Sequence, residues 1–118
     1  MIRTSLFVLA TAAALAGCAT QPEGPGGKHL VYRDAGGAIV RQFDYPSDDF
    51  CRRVERMAGR TARCQGDSVS AQMGATATLR YNPPGVLVNA HYQNMARCQT
   101  ETHQLGAGVQ LVNACTTR

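Results

Sequence analysis

The sequence predicts an α+β fold in which an antiparallel β-sheet of about five or six strands packs against one amphipathic helix and is stapled by two disulfides. Three observations support this expectation. Alternating apolar and polar residues recur in the second half of the chain, an amphipathic stretch lies at residues 48–58, and four cysteines follow residue 50. A half-buried antiparallel strand alternates with period two, whereas a helix repeats its apolar residues every three to four positions.

The N-terminal residues have the pattern of an export signal. Arg3 supplies a positive charge, residues 6–16 form an apolar run, and Leu-Ala-Gly-Cys closes it at residues 15–18. The run is shorter than the roughly 20 residues that a membrane-spanning helix needs, and small residues before a cleavage point are typical of secretory signals. The block at residues 15–18 resembles the lipobox of bacterial lipoproteins.

This resemblance implies that residues 1–17 are a lipoprotein signal peptide and that Cys18 carries lipid, palmitate included. Two or more acyl chains hold a protein stably at a membrane, whereas one chain does so only marginally, so the anchor would be permanent. Ala19, and not Asp, follows the cysteine. In Gram-negative members of the class this residue influences sorting, and Ala19 implies the outer membrane, with the domain facing the periplasm.

Residues 18–27 are expected to form the lipidated cysteine and a flexible tether, and residues 28–118 a single periplasmic domain. The tether is rich in Pro and Gly and has no apolar pattern. Its nine residues after Cys18 span at most roughly 30 Å. The domain would therefore stay close to its membrane.

The charge balance argues against nucleic acid as a partner. Twelve basic residues stand against eight acidic ones, a formal net charge of +4, and loss of Arg3 with the signal leaves eleven against eight. Domains that bind nucleic acid are usually more basic than this. The candidate partners are the membrane, reached through the lipid, and an envelope protein, the cell wall or lipopolysaccharide.

The strands are expected in the remainder of the domain. Residues 28–33 and 38–45 predict a β-hairpin, because both are rich in Val, Ile, Tyr and Phe and the Asp-Ala-Gly-Gly at 34–37 suits a turn. Residues 61–71 are ambiguous. Further alternating strands are predicted at 75–81, 86–99 and 109–116.

Residues 48–58 predict the helix. Pro46 ends the preceding strand, Ser47 is a good N-cap, and Gly59 follows the last helical residue. When these residues are projected around a helix axis at about 100° per residue, the apolar side chains lie on one side and the arginines on the other. We expect the apolar side, Met57 included, to be buried. The apolar side contains Phe50, Cys51, Val54, Met57 and Ala58. The basic side, called the arginine face below, contains Arg52, Arg53, Arg56 and Arg60.

The arginine face is the candidate binding site. Guanidinium groups bind phosphates and carboxylates in a bidentate manner, and only one acid, Glu55, lies within the stretch. At an envelope surface the anionic partners would be lipid headgroups, lipopolysaccharide phosphates, cell-wall carboxylates or an acidic protein patch. The alternative is a solvated face that binds nothing.

Four cysteines in an exported chain predict two disulfides. We favour Cys51–Cys64 with Cys98–Cys115, because Cys98 and Cys115 are nearly equidistant from the turn near Gly106 and would face each other across a hairpin. Cys51–Cys98 with Cys64–Cys115 remains an alternative. Since no two cysteines have Cys-x-x-Cys spacing, thioredoxin-like redox chemistry and zinc ribbons are disfavoured.

No catalytic site, metal site or cofactor is predicted. Gly-Asp-Ser at 66–68 is similar to the nucleophile block of one esterase family, but the chain is too short for the parallel sheet of that family. His29, His91 and His103 lack metal-ligand spacing.

The sequence therefore predicts a non-catalytic interaction or structural module. The alternative function is inhibition of a hydrolase such as a lysozyme or protease. An inhibitor would need a protruding loop that carries a key residue, and residues 82–85 and 100–108 are the candidates.

Replacement of Cys18 by Ser should abolish lipidation, because the thiol is the group that the lipobox resemblance assigns to acylation. A radioactive fatty acid should label the wild type and leave the variant unlabelled and absent from the membrane fraction. The neighbouring change Ala19→Ser, which keeps the thiol, serves as the matched control and should retain the label. Label in the Cys18→Ser protein would contradict the assignment.

Overall fold

A computed structural model of the chain describes residues 26–118. The predicted signal peptide, Cys18 and most of the tether lie outside these residues. Within the described part, the chain forms six strands and two α-helices. These are β1 (His29–Arg33), β2 (Ile39–Asp44), α1 (Asp48–Ala58), β3 (Ala62–Gln65), β4 (Ala75–Tyr81), β5 (Val86–Tyr92), α2 (Met95–Thr102) and β6 (Val109–Thr117).

The six strands form one antiparallel sheet in the order β3-β1-β2-β5-β4-β6. This confirms the predicted α+β fold. β1 and β2 form the predicted hairpin, with Leu30 opposite Phe43. The carboxylate of Asp34 holds the hairpin turn by accepting hydrogen bonds from the backbone N–H groups of Gly36 and Ala38.

Helix α1 has the predicted bounds because its local signals are strong. The Ser47 hydroxyl accepts a hydrogen bond from the Phe50 backbone N–H at 3.1 Å, which satisfies a donor that the first turn leaves unpaired. Asp48 and Asp49 place negative charge at the positive end of the helix dipole. Gly59 ends the helix at a φ of 79°, a conformation that glycine adopts without strain.

The expectation that Met57 is buried is wrong. Its side chain is 79% exposed, whereas Cys51 on the same helix is fully buried. Met57 lies about 120° around the helix from Cys51 at 100° per residue. The buried side of α1 is therefore centred on Cys51, and Met57 lies outside it.

The predicted strand at 86–99 is wrong beyond Tyr92, where the chain leaves the sheet and forms α2. Asn94 caps this helix, since its side-chain oxygen accepts a hydrogen bond from the Arg97 backbone N–H at 2.8 Å. The buried residues of α2 are Cys98 and Thr102, four positions apart as one helical face requires. The sheet therefore carries two helices and not one.

The main core lies between the helices and one face of the sheet. Leu30, Leu79, Val88 and Tyr92 are almost completely buried there. Several of the other buried sheet residues are small and allow the helices to approach the strands closely. These are Ala62, Ala75, Ala77 and Ala90.

Each disulfide joins a helix to an edge strand of the sheet. Cys51 of α1 bonds Cys64 of β3, and Cys98 of α2 bonds Cys115 of β6. The predicted connectivity is confirmed. The reason given for the second pair is wrong, because Cys98 lies on a helix packed over the sheet and not on a strand opposite Cys115.

Removal of either disulfide should lower the free energy of unfolding by roughly 3 kcal/mol, the chain-entropy value for loops of this size. The bridged cysteines are 13 and 17 residues apart. Urea unfolding of the Cys51→Ala/Cys64→Ala and Cys98→Ala/Cys115→Ala proteins measures the losses, and reductant should abolish the difference from wild type. A peptide that joins Cys51 to Cys98 in a digest of the unreduced protein would contradict the pairing.

Candidate functional site

Three members of the arginine face, Arg52, Arg53 and Arg56, lie on α1, and the fourth, Arg60, lies in the short 3₁₀ turn that follows it. Arg53, Arg56 and Arg60 are exposed and Arg52 is half-buried. Glu55, the one acid expected to neutralise them, accepts a hydrogen bond from the Cys64 backbone N–H at 2.8 Å. Its carboxylate therefore holds α1 against β3 and is directed to the sheet side of the helix.

One exposed acid does lie beside the arginine face. Asp49 approaches Arg53 to 3.7 Å, and the two side chains are 82% and 65% exposed. Exposed pairs of this kind contribute little to stability and are screened by salt. The arginine face therefore keeps an excess of positive charge.

The chain reaches the domain beside the arginine face. Gly26 is buried, and a Cβ atom built on it would lie 2.5 Å from a guanidinium nitrogen of Arg52. At Gly27, a Cβ would lie 2.2 Å from the carbonyl oxygen of Gln65. The last two residues of the predicted tether thus pack on the domain, next to α1 and the end of β3.

An apolar surface adjoins the arginine face. We call it the apolar patch and define it as Phe50, Val54, Met57, Pro83 and Pro84. With Tyr81 and Arg53 these residues line an open groove of about 500 Å³. The guanidinium carbon of Arg53 lies 5.8 Å from the centre of the Phe50 ring, so positive charge stands at the rim of the groove.

Residues 82–85, the first loop considered for an inhibitor, form the exposed turn between β4 and β5. Two of the four, Pro83 and Pro84, line the groove with α1. Residues 100–108, the second such loop, are helical as far as Thr102. Gln104 and Leu105 then line a different cleft of about 430 Å³ on the same side of the sheet.

This second cleft is aromatic and its charges are paired. The guanidinium carbon of Arg41 lies 4.0 Å from the centre of the Tyr32 ring, and its Nη1 atom lies 3.1 Å from Glu101. Burial raises the pKa of Tyr81 and of Tyr92. These phenols are therefore neutral at physiological pH and offer the cleft hydrogen-bonding groups but no nucleophile.

The opposite face of the sheet carries a partly buried polar cluster around Gln42 that the sequence did not predict. Gln42 is fully buried, and its amide nitrogen donates to Asp44 at 2.7 Å and to the Ser68 hydroxyl at 2.9 Å. Its amide oxygen accepts from the Val69 backbone N–H at 2.6 Å. Gln42 thus attaches the segment after β3 to the back of the sheet.

Asp44 links two strands through two histidines. Its carboxylate oxygens lie 2.7 Å from His29 Nδ1 and 2.8 Å from His91 Nε2. Burial alone would raise the pKa of Asp44, but hydrogen bonds from His91, His29 and Gln42 outweigh it and lower the pKa below its usual value. The carboxylate is therefore ionised and committed to these partners.

Ser68 is not arranged as a nucleophile. Its hydroxyl lies within hydrogen-bonding distance of Gln42 and of Ser70, whereas His29 and His91 are both directed to Asp44. An activated serine needs an adjacent base. The Gly-Asp-Ser block at 66–68 belongs to the segment that covers the back of the sheet.

His103 does not join the other two histidines. It caps the C-terminus of α2, and its Nδ1 atom is hydrogen-bonded to the carbonyl oxygen of Gln99. Within residues 26–118, no three His, Cys, Asp or Glu side chains are grouped so that they could hold a metal ion. Neither helix of this part of the chain has the length and apolar character that crossing a membrane requires.

No protein-family model, curated protein or solved structure matches this chain.

The Asp44 cluster should stabilise the fold in a pH-dependent manner. Because the folded-state pKa of Asp44 is depressed, its contribution is present above the ordinary value and is lost as pH falls through the folded pKa. Asp44→Asn should cost roughly 2 kcal/mol at pH 7 by weakening charge-assisted hydrogen bonds. Urea unfolding between about pH 7 and pH 2 should show this cost shrinking towards the acid end. The exposed Asp67→Asn is the control, and a pH-independent cost at Asp44 would contradict the argument.

Proposed function

We propose that this chain is a lipid-anchored protein of the bacterial envelope, held at the outer membrane and facing the periplasm, and that it binds anionic envelope components through the arginine face. One observation carries the binding proposal. The only acid between Arg52 and Arg60, Glu55, accepts a backbone hydrogen bond from Cys64, whereas Arg53, Arg56 and Arg60 are exposed and can bind an external anion.

The position at which the chain reaches the domain supports the same proposal. Gly26 lies against Arg52, and the eight-residue step from Cys18 to Gly26 spans at most about 28 Å. A lipid on Cys18 would therefore keep Gly26, and Arg52 beside it, near the membrane surface. The described chain thus enters the domain next to one member of the arginine face.

The proposed module is non-catalytic. Three polar groups of residues 26–118 that could serve in catalysis are engaged by neighbouring side chains. Asp44 is held by two histidines, Ser68 by Gln42, and Glu101 by Arg41 and Arg97. We therefore place the function of the domain on its exposed cationic surface.

Replacement of Arg53, Arg56 and Arg60 by Gln should weaken adsorption to anionic surfaces by about a hundredfold, at roughly 1 kcal/mol for each basic residue near an anionic membrane. The soluble mature chain with Cys18→Ser is used, so that lipid does not drive adsorption. Sedimentation with phosphatidylglycerol vesicles, lipopolysaccharide and cell-wall fragments measures binding. The effect should shrink as salt rises, because exposed charges are screened.

In the matched control, Arg33, Arg80 and Arg118 are replaced by Gln. These residues are exposed and lie outside the arginine face. Both triple variants lose three positive charges, but only the variant of the arginine face should lose most of its binding. If the two triple variants bind all three surfaces with equal affinity, the loss of adsorption is due to net charge. This result would refute a role specific to the arginine face.

A further inference from the structure

The apolar patch contains the most exposed large apolar side chain of the described residues. Met57 is 79% exposed, against 54% for Leu87 and 42% for Leu111. It lies beside Phe50, Val54, Pro83 and Pro84 in an open groove. The groove is lined mainly by apolar side chains, and an apolar surface beside positive charge suits a partner that offers both chemistries.

The apolar patch and the arginine face are neighbours on one helix. Met57 lies about 40° around α1 from Arg53, and Arg53 itself lines the groove beside Met57. The exposed Arg56 directly precedes Met57 in the chain. A single partner that touches α1 from outside therefore meets arginines and apolar side chains at once.

An anionic lipid surface has both of the required chemistries. Interfacial helices bury an apolar face about 5–10 Å into the boundary between headgroups and acyl chains, with basic residues directed to the headgroups. Arginine suits this position, because its apolar stem can lie along the acyl region while its head reaches the phosphates. The groove supplies the apolar contact and the arginine face supplies the charge.

The chain outside the described residues also favours a membrane as the partner. Gly26 lies against Arg52, so the arginine face has the approach of the tether on one flank and the apolar patch on the other. An anchor at Cys18 would be within about 28 Å of Gly26. A lipid surface is thus the partner that this geometry brings closest to α1.

We propose that the apolar patch inserts into an anionic phospholipid membrane while the arginine face binds the lipid phosphates, so that α1 lies in the plane of the membrane. This inference rests on the proposed function, since it names the lipid surface as the anionic partner. It adds that binding is apolar as well as electrostatic. It also sets the orientation of the anchored domain.

The absence of tryptophan from the chain provides the test. Met57→Trp places the protein's single tryptophan in the apolar patch. The full-length lipidated protein is reconstituted into vesicles of phosphatidylcholine alone or mixed with phosphatidylglycerol. In the anionic vesicles the emission should shift to shorter wavelength and be quenched by lipids brominated on their acyl chains. With phosphatidylcholine alone, both effects should be smaller.

Leu87→Trp is the matched control. Leu87 is also exposed, but it lies on β5 opposite Arg80 and is not part of the groove. This variant should show the same emission in both vesicles and weak quenching. Adding Arg53→Gln, Arg56→Gln and Arg60→Gln to Met57→Trp should move the emission back towards that of the phosphatidylcholine sample.

The outcomes separate the two proposals. Unshifted and unquenched emission of the Met57→Trp protein in both vesicles, with the arginine dependence of adsorption intact, would overturn insertion and leave the proposed function standing. Adsorption to cell-wall fragments but not to vesicles would also overturn insertion and leave the proposed function standing. A blue shift seen only when an acidic envelope protein is added would assign the patch to a protein and overturn the lipid partner. Insertion that is unaffected by the arginine replacements would overturn the arginine face as its electrostatic partner.

Discussion

The attachment of α1 to Cys64 is the constraint on which the rest of this surface depends. Cys51 bonds the Cys64 sulfur and Glu55 accepts a hydrogen bond from the Cys64 backbone N–H. Cys51 and Glu55 are four residues apart and lie on one stripe of the helix. Two bonds from one stripe to a single residue set the rotation of α1 about its axis, and this rotation turns Met57 and the arginines outward.

At the opposite edge of the sheet, a disulfide likewise attaches α2. The Cys98–Cys115 bridge joins that helix to β6, so both edge strands are tied to elements that cover the core. A domain of this size buries a smaller fraction of its unfolded-chain surface than a larger domain does, and its core is rich in alanine. Covalent links at both edges therefore supplement a core that offers limited apolar area.

The sequence predicted those elements whose signals are local. Ser47 and Gly59 defined α1 to the residue, whereas the strand predicted at 86–99 extended too far because Ala96 and Cys98 continue its alternation. The N-cap residue Asn94 was the available signal for α2. The cluster of His29, Gln42, Asp44 and His91 had no such signal. It forms only when β2 pairs with β5 and places Gln42 opposite His91.

The sequence predicted which arginines form the candidate site but not which side chains surround them. The reason is again the rotation of α1 about its axis. A helical projection centred on the apolar residues assigns Met57 to the core and leaves Glu55 available to the arginines. In the structure α1 is oriented by its bonds to Cys64. Glu55 is therefore directed towards the sheet, and Met57 is exposed. One tertiary contact thus removes a compensating charge from the arginine face and adds an apolar side chain beside it. Both changes follow from the orientation of α1 that the disulfide and the Glu55 hydrogen bond to Cys64 fix.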